Sequence, residues 1–161
     1  MIKGGPFIMN YKNILVAIDG SEPAEKAFHR AVEIAKRNNA RLILAHVIDN
    51  RRVGRVEAFS PNYFQDLQEK MREMLEEYKE KAEQAGIADV EISLEVGSPK
   101  VEVGKKIAPE YDADLIVCGS SGLSALQRWM LGSVSEGIAR CARCDVLIVK
   151  GEDVEEEKEE D

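Results

Sequence analysis

Residues 113–135 read ADLIVCGSSGLSALQRWMLGSVS. Ala113 to Cys118 is a short apolar run of the kind that forms a strand covered on both faces. Gly119, Ser120, Ser121 and Gly122 come next, then Leu123, Ser124 and Ala125. The stretch ends in Gly132-Ser133-Val134-Ser135, at the start of a helix-like run reaching Arg143. Glycine lets main chain approach a ligand closely and adopt positive φ. A helix that opens at Ser133 presents unpaired N–H groups and the positive end of its dipole, which suits phosphate. The segment therefore reads as two halves of a nucleotide clamp, joined by the nine residues between Gly122 and Gly132.

The same punctuation recurs on either side. Residues 12–18, KNILVAI, form an apolar strand that stops at Asp19-Gly20. Ser21 is a helix cap and Pro23 suits a first turn. Ala24, Ala27, Phe28, Ala31, Ile34 and Ala35 then recur at helical spacing as far as Asn38-Asn39. A second strand covers 41–48, RLILAHVI, and a loop is expected from Asp49 to Ser60. Ser60-Pro61 opens the longest helix, whose stripe of Phe64, Leu67, Met71, Leu75, Tyr78, Ala82 and Ala85 reads as core-facing, with Gly86 as its stop. Residues 89–96, DVEISLEV, alternate apolar and polar like a half-exposed strand. A helix follows Gly97-Ser98-Pro99 to about Pro109, and the last strand is 145–150, DVLIVK.

This order, βαβαβαβαβ, predicts an α/β fold: an open five-stranded parallel sheet with helices on both faces. Crossovers should be right-handed. A Rossmann-like strand order of 3-2-1-4-5 reverses its winding between strands one and four, and ligands bind at such a switch point, outside the carboxyl ends of the strands. Asp19-Gly20 and Gly119 to Gly122 both fall there.

Composition supports one folded domain. The chain has 161 residues, 44% of them hydrophobic, and no apolar run approaches the roughly 18 residues of a membrane span. The formal net charge of −8 is concentrated at one end. Residues 151–161, GEDVEEEKEED, carry eight acids and one lysine, which leaves −1 for residues 1–150. The tail is expected to be disordered by self-repulsion, and the body has no nucleic-acid footprint. The opening, MIKGGPFIMN, does not resemble a secretory signal. Residues 1–9 are expected to be an extension, residues 10–150 the domain and residues 151–161 the acidic tail. Three cysteines, Cys118, Cys141 and Cys144, with no signal sequence point to a reducing, cytoplasmic setting.

The spacing Gly119-x2-Gly122-x9-Gly132-Ser133, with NILVAIDGS at 13–21 and AHVID at 45–49, resembles the universal stress protein family in its ATP-binding branch. The resemblance spans roughly residues 10–150. It implies a homodimeric, adenine-nucleotide-binding module of the stress response, taking ATP, or ADP or AMP, with Mg²⁺. By matching position, Ala17, Ile18 and Asp19 would line the adenosine and metal side. Val47 would meet adenine through its main chain. Gly119, Ser120, Ser121, Gly122, Leu123, Ser124 and Ala125 would wrap ribose and phosphates, with Gly132 beside them. Ser133, Val134 and Ser135 would donate to phosphate oxygens. Ser121 stands where the family often has histidine.

Several of these residues carry a second reading. Ser133 and Glu136 match a capping box, which competes with phosphate for the same N–H groups. Asp19 fits an Asx turn as well as a Mg²⁺ ligand. Arg51, Arg52 and Arg55 fit a solvated loop or a closure over phosphates. His29 reads as an exposed helix residue and His46 as a satisfied strand residue. Cys141-Ala-Arg-Cys144 falls at a helix end, where the dipole disfavours a thiolate.

The competing functional class is a slow ATPase or other nucleotide-using enzyme. No G-x4-G-K-[ST] segment places a lysine for the phosphates, and no second acid stands beside Asp19. A phospho-receiver would want that second acid, and a dinucleotide site would want G-x-G-x-x-G where DGSEPA stands. The outermost strands would be three, defended by Glu91 and Glu95, and five. VLIV in strand five has no charge between Asp145 and Lys150, so pairing of 145–150 with a second copy is expected.

Overall fold

The computed structural model describes residues 10–56, 61–120 and 131–151. Five strands, β1 (Asn13–Ala17), β2 (Arg41–Asp49), β3 (Val90–Gly97), β4 (Leu115–Gly119) and β5 (Asp145–Val149), form one parallel sheet in the order β3-β2-β1-β4-β5. This is the order expected from the sequence.

Strand periodicity divides the core in two. Ile14, Val16 and Ile18 face α1 (Glu22–Asn38) and α3 (Tyr63–Gln84), where Phe28, Leu75, Tyr78 and Ala82 close the layer. Leu15, Ile43, Ala45 and Ile116 face the opposite layer, with Val103, Ile107 and Ile138. That layer holds α4 (Pro99–Glu102), a π-helical turn (Val103–Ile107), α5 (Ala108–Glu110) and α6 (Ser133–Cys141). Ile14, Leu15 and Val16 expose no surface, and each fully buried side chain of this kind contributes about 1.5–3 kcal/mol. Both faces of the sheet are covered, which is why β1, β2 and β4 read as unbroken apolar runs.

Local chemistry sets the boundaries. Ser21 Oγ accepts the Ala24 N–H at 3.3 Å and caps α1 as expected, with Pro23 in its first turn. Asn39 ends α1 in the left-handed region at φ 51°. Gly86, at φ 102°, follows the end of α3. At the amino end of the sheet, the Asp114 carboxylate accepts the N–H groups of Lys12 and Asn13 at 2.8 and 3.0 Å, tying β1 to the entry of β4.

Three expectations need correction. The loop expected over 49–60 contains a helix, α2 (Asn50–Val56). Its first turn is anchored by the Asp49 carboxylate, which accepts the Arg51 N–H at 3.0 Å. Strand β3 alternates only in part. Ile92 and Leu94 pack against the α1/α3 core and Glu91 and Glu95 pair with Arg41 and Lys106, but Ser93 is buried and Val96 is exposed. Helix α6 has Gly132, not Ser133, at its N-cap and no side-chain cap bond. The capping box is therefore not formed, and Glu136 instead pairs with Arg140 one turn on. The expected extension 1–9 and the acidic tail, Gly151 apart, lie outside the described residues.

Candidate functional site

The carboxyl ends of β1 and β4 diverge at the reversal of strand order, and a cavity of about 420 Å³ opens there. That is within the range of about 300–1,000 Å³ usual for small-molecule sites. It brings together Ala17, Ile18 and Asp19 from the exit of β1, Val47 from β2, Gly119 from β4, and Val134 and Ser135 from α6. These seven come from separate parts of the chain, and the sequence expected all of them at one site.

The remaining expected residues divide in two groups. Gly132 and Ser133 precede Val134 at the α6 N-terminus and do not line the cavity. Ser120 does not line it and donates its N–H to the Val149 carbonyl oxygen at 2.9 Å. Ser121, Gly122, Leu123, Ser124 and Ala125 lie outside the described residues.

The α6 N-terminus makes its first backbone bond only at Glu136, whose N–H donates to the Gly132 carbonyl at 3.0 Å. The N–H groups before it belong to the turn that a helix leaves without internal acceptors. With glycine at the cap and no side-chain acceptor there, this end carries positive dipole potential toward the cleft. Ser135 is buried, and its hydroxyl donates to the Gly119 carbonyl oxygen at 2.7 Å. What Ser135 can offer a ligand is therefore its main-chain N–H.

Gly119 is required by packing. A Cβ on it would lie 2.5 Å from the Pro23 carbonyl carbon and oxygen. The β4 exit and the α1 start touch through main chain, which narrows the floor between the two halves of the site. Asp19 is exposed and its Oδ1 accepts the Ser21 N–H at 2.9 Å, so the Asx turn is present. Its Oδ2 makes no hydrogen bond among the described residues. Among those residues no group of three His, Cys, Asp or Glu side chains could hold a metal ion.

His46 also lines the cavity. Its Nδ1 lies 2.6 Å from the Ile18 carbonyl oxygen. Burial lowers its pKa, against the opposing pull of that carbonyl and of Asp19. The ring is thus neutral near pH 7, with the proton on Nδ1, and it holds the β1 exit against β2. Asp49 is engaged by Arg51 at 3.1 Å, and this partner holds its carboxyl below the usual range. Arg51 and Arg52 are both exposed, and of the two only Arg52 lines the cavity.

The sequence missed one wall. Tyr63, Leu67 and Met71 of α3 line the cavity, although the stripe to which Leu67 and Met71 belong reads as core-facing. A length comparison carries the missing signal. Helix α3 has 22 residues and β3 has 8. At 1.5 Å per helical residue the helix is about 33 Å long, against about 26 Å for the strand. The helix is thus longer than the strand it precedes, and its stripe divides: Leu67 and Met71 line the cavity while Leu75, Tyr78 and Ala82 enter the core.

The family model described as Universal stress protein family matches residues 10–150. The chain belongs to this family. A universal stress protein of Staphylococcus haemolyticus is 46% identical over 150 residues, covering 93% of this chain and 91% of the relative. One from Staphylococcus aureus strain USA300 is 49% identical over 147 residues, covering 91% and 89%. Among solved structures, the hypothetical protein MJ0577, whose biochemical function was assigned from its structure, superposes with a TM-score of 0.78 at 34% identity. That match covers 90% of this chain and 99% of that one. A universal stress protein solved in complex with cAMP superposes with a TM-score of 0.64 at 35% identity, covering 88% and 98%. The universal stress protein domain thus takes in both sheet faces and the whole described cleft. No helix among the described residues is long and apolar enough to cross a membrane.

Proposed function

We propose that this universal stress protein binds an adenine nucleotide in the cleft between β1 and β4, with ATP as the ligand and ADP or AMP as its alternatives. The observation that carries the reading is the uncapped α6 N-terminus, opening beside Asp19 onto a cavity of about 420 Å³. Phosphate oxygens would accept from the N–H groups of Ser133, Val134 and Ser135. The solved relative in complex with cAMP supports a nucleotide of this class.

Mg²⁺ would enter with the nucleotide. Asp19 supplies one carboxylate, and phosphate oxygens and water complete the octahedral shell such an ion demands. Binding would change the surface that a protein partner reads, so the working form is a cytoplasmic, nucleotide-dependent regulator of the stress response. Two copies would pair through 145–150. Val146, Leu147 and Ile148 are only half-buried in the single chain, and an edge without charge is open to another strand.

The test is a titration of the full chain, stripped of nucleotide, with ATP and Mg²⁺. Trp129 fluorescence and calorimetry report binding independently. Saturable binding weakened by Asp19→Ala in the presence of Mg²⁺ is the expected result. No heat and no fluorescence change would leave the cleft without a nucleotide. Turnover in the same samples, abolished by Asp19→Ala and faster than a binding cycle needs, would instead favour the slow ATPase.

A further inference from the structure

We infer that the acidic segment 152–161 holds down the nucleotide affinity of the cleft by charge repulsion, and so makes nucleotide occupancy respond to ionic strength. The inference rests on the nucleotide reading and deepens it. Strand β5 is parallel to β4, with Val149 in register with Gly119. The Ser120 N–H donates to the Val149 carbonyl oxygen at 2.9 Å. Gly119 lines the cavity. The chain therefore leaves β5 at the cleft end of the sheet, one strand spacing, about 4.8 Å, from the strand that carries this cavity residue. Lys150 and Gly151 are exposed there, and the acids begin at the next residue, Glu152.

The charge is large against its surroundings. Residues 152–161 hold eight acids and one lysine, a net of −7, while residues 1–150 sum to −1. The cavity wall adds no surplus of cations to offset it: its charged side chains among the described residues are Asp19, Asp49 and Arg52. Ten residues reach at most about 36 Å from their anchor, comparable with the Debye length of about 30 Å at 0.01 M salt. At low salt the whole segment thus acts on phosphates bound beside Asp19 and the α6 N-terminus. The segment and a nucleotide phosphate chain carry the same sign, so their repulsion is subtracted from binding. At physiological salt the Debye length is only about 8 Å. Hydrogen bonds from peptide N–H groups act at contact and are screened much less. Rising salt therefore removes the repulsion first, and occupancy rises.

The experiment measures ATP, ADP and adenosine affinities by calorimetry, at fixed Mg²⁺, on two full-length nucleotide-free chains. One is wild type. In the other the eight acids of 152–161 are changed to their amides, Glu152→Gln and Asp153→Asn among them. At about 0.01 M ionic strength the amide variant should bind ATP roughly fivefold more tightly. The gain should shrink for ADP and vanish for uncharged adenosine. For ATP it should fall below about twofold at 1 M salt, where the Debye length is about 3 Å. Equal ATP affinity in the two chains at low salt would overturn the inference and leave the nucleotide reading standing. So would a gain of the same size for adenosine, which would mark the segment as a physical cover, or a gain that salt does not alter. Failure of both chains to bind ATP would remove the nucleotide reading as well.

Discussion

The Ser135 hydroxyl donates to the Gly119 carbonyl oxygen across 2.7 Å, joining the first turn of α6 to the last residue of β4. The bond spans the ends of the glycine-rich segment and fixes them relative to each other. Ser135→Ala would leave a part-buried carbonyl without its partner, at a cost of about 1–3 kcal/mol. Ser133 is exposed, and Ser133→Ala should change stability by no more than about 0.5 kcal/mol. Urea unfolding of the two variants checks the difference, and equal midpoints would refute it.

Gly119→Ala tests the close approach to Pro23. The added methyl would meet main chain 2.5 Å away, and the α1 start would have to shift. Overpacking of this kind costs about 1–3 kcal/mol. Gly54 provides the contrast. It sits exposed in α2 with nothing within 4 Å of an added Cβ, so Gly54→Ala should stabilise by about 0.5–1 kcal/mol. Thermal unfolding should move in opposite directions for the two.

His46 gives the fold a pH dependence of definite sign. Burial holds its folded pKa below the ordinary 6.5. Between the two values the unfolded chain binds more protons, so stability rises with pH there. The contribution is complete above 6.5 and is lost as pH falls through the folded value. Asp49 acts in a separate window, below its ordinary 3.8. Denaturant midpoints should therefore fall between pH 7.5 and 5.5 in wild type and stay level in His46→Asn. Equal slopes in both proteins would show that His46 is not the group titrating.

Much of this was legible in the sequence, for identifiable reasons. Sheet order and the two-layer core follow from apolar runs such as Ile14–Val16 and Leu42–Leu44, which leave no side chain for water. Both strand exits of the site were marked by Asp19-Gly20 and by Gly119. Helix α2 was not legible, because Asn50–Val56 contains a glycine and three arginines and only two apolar residues, Val53 and Val56, too few to mark a helical period. Its anchor, the Asp49 carboxylate on the Arg51 N–H, is a contact rather than a pattern. The α3 wall was misassigned for another reason. Periodicity tells which residues share a face, but not which part of that face meets the core and which part lines a cavity.

The three cysteines should react at different rates. Burial pushes the Cys118 thiol up to about 11, against a smaller opposing effect from Ser135. Burial also raises Cys144, to a lesser extent. Because the thiolate is the nucleophile, a disulfide reagent at pH 8 should modify Cys141 first and Cys144 more slowly. Cys118 should wait for unfolding. Simultaneous reaction of all three thiols in the native chain would contradict the buried environment of Cys118.

Leu147→Asp addresses the proposed pairing of β5. A carboxylate in the middle of the outer strand would have to be desolvated between two copies. The variant should run as a monomer, or aggregate, in sedimentation experiments in which wild type runs as a dimer. A stable Leu147→Asp dimer would move the contact elsewhere.

The phosphate donors proposed for the turn from Gly132 into α6 are peptide N–H groups, since the Ser135 hydroxyl that lines the cleft is turned onto Gly119. A surface made of peptide groups is inherited with the fold and not with any single side chain. It withstands sequence drift that would erase a site built from imidazoles or carboxylates, and alanine scanning passes over it almost silently. Replacing one linkage by an ester, as at Val134, would remove an N–H while leaving every side chain in place.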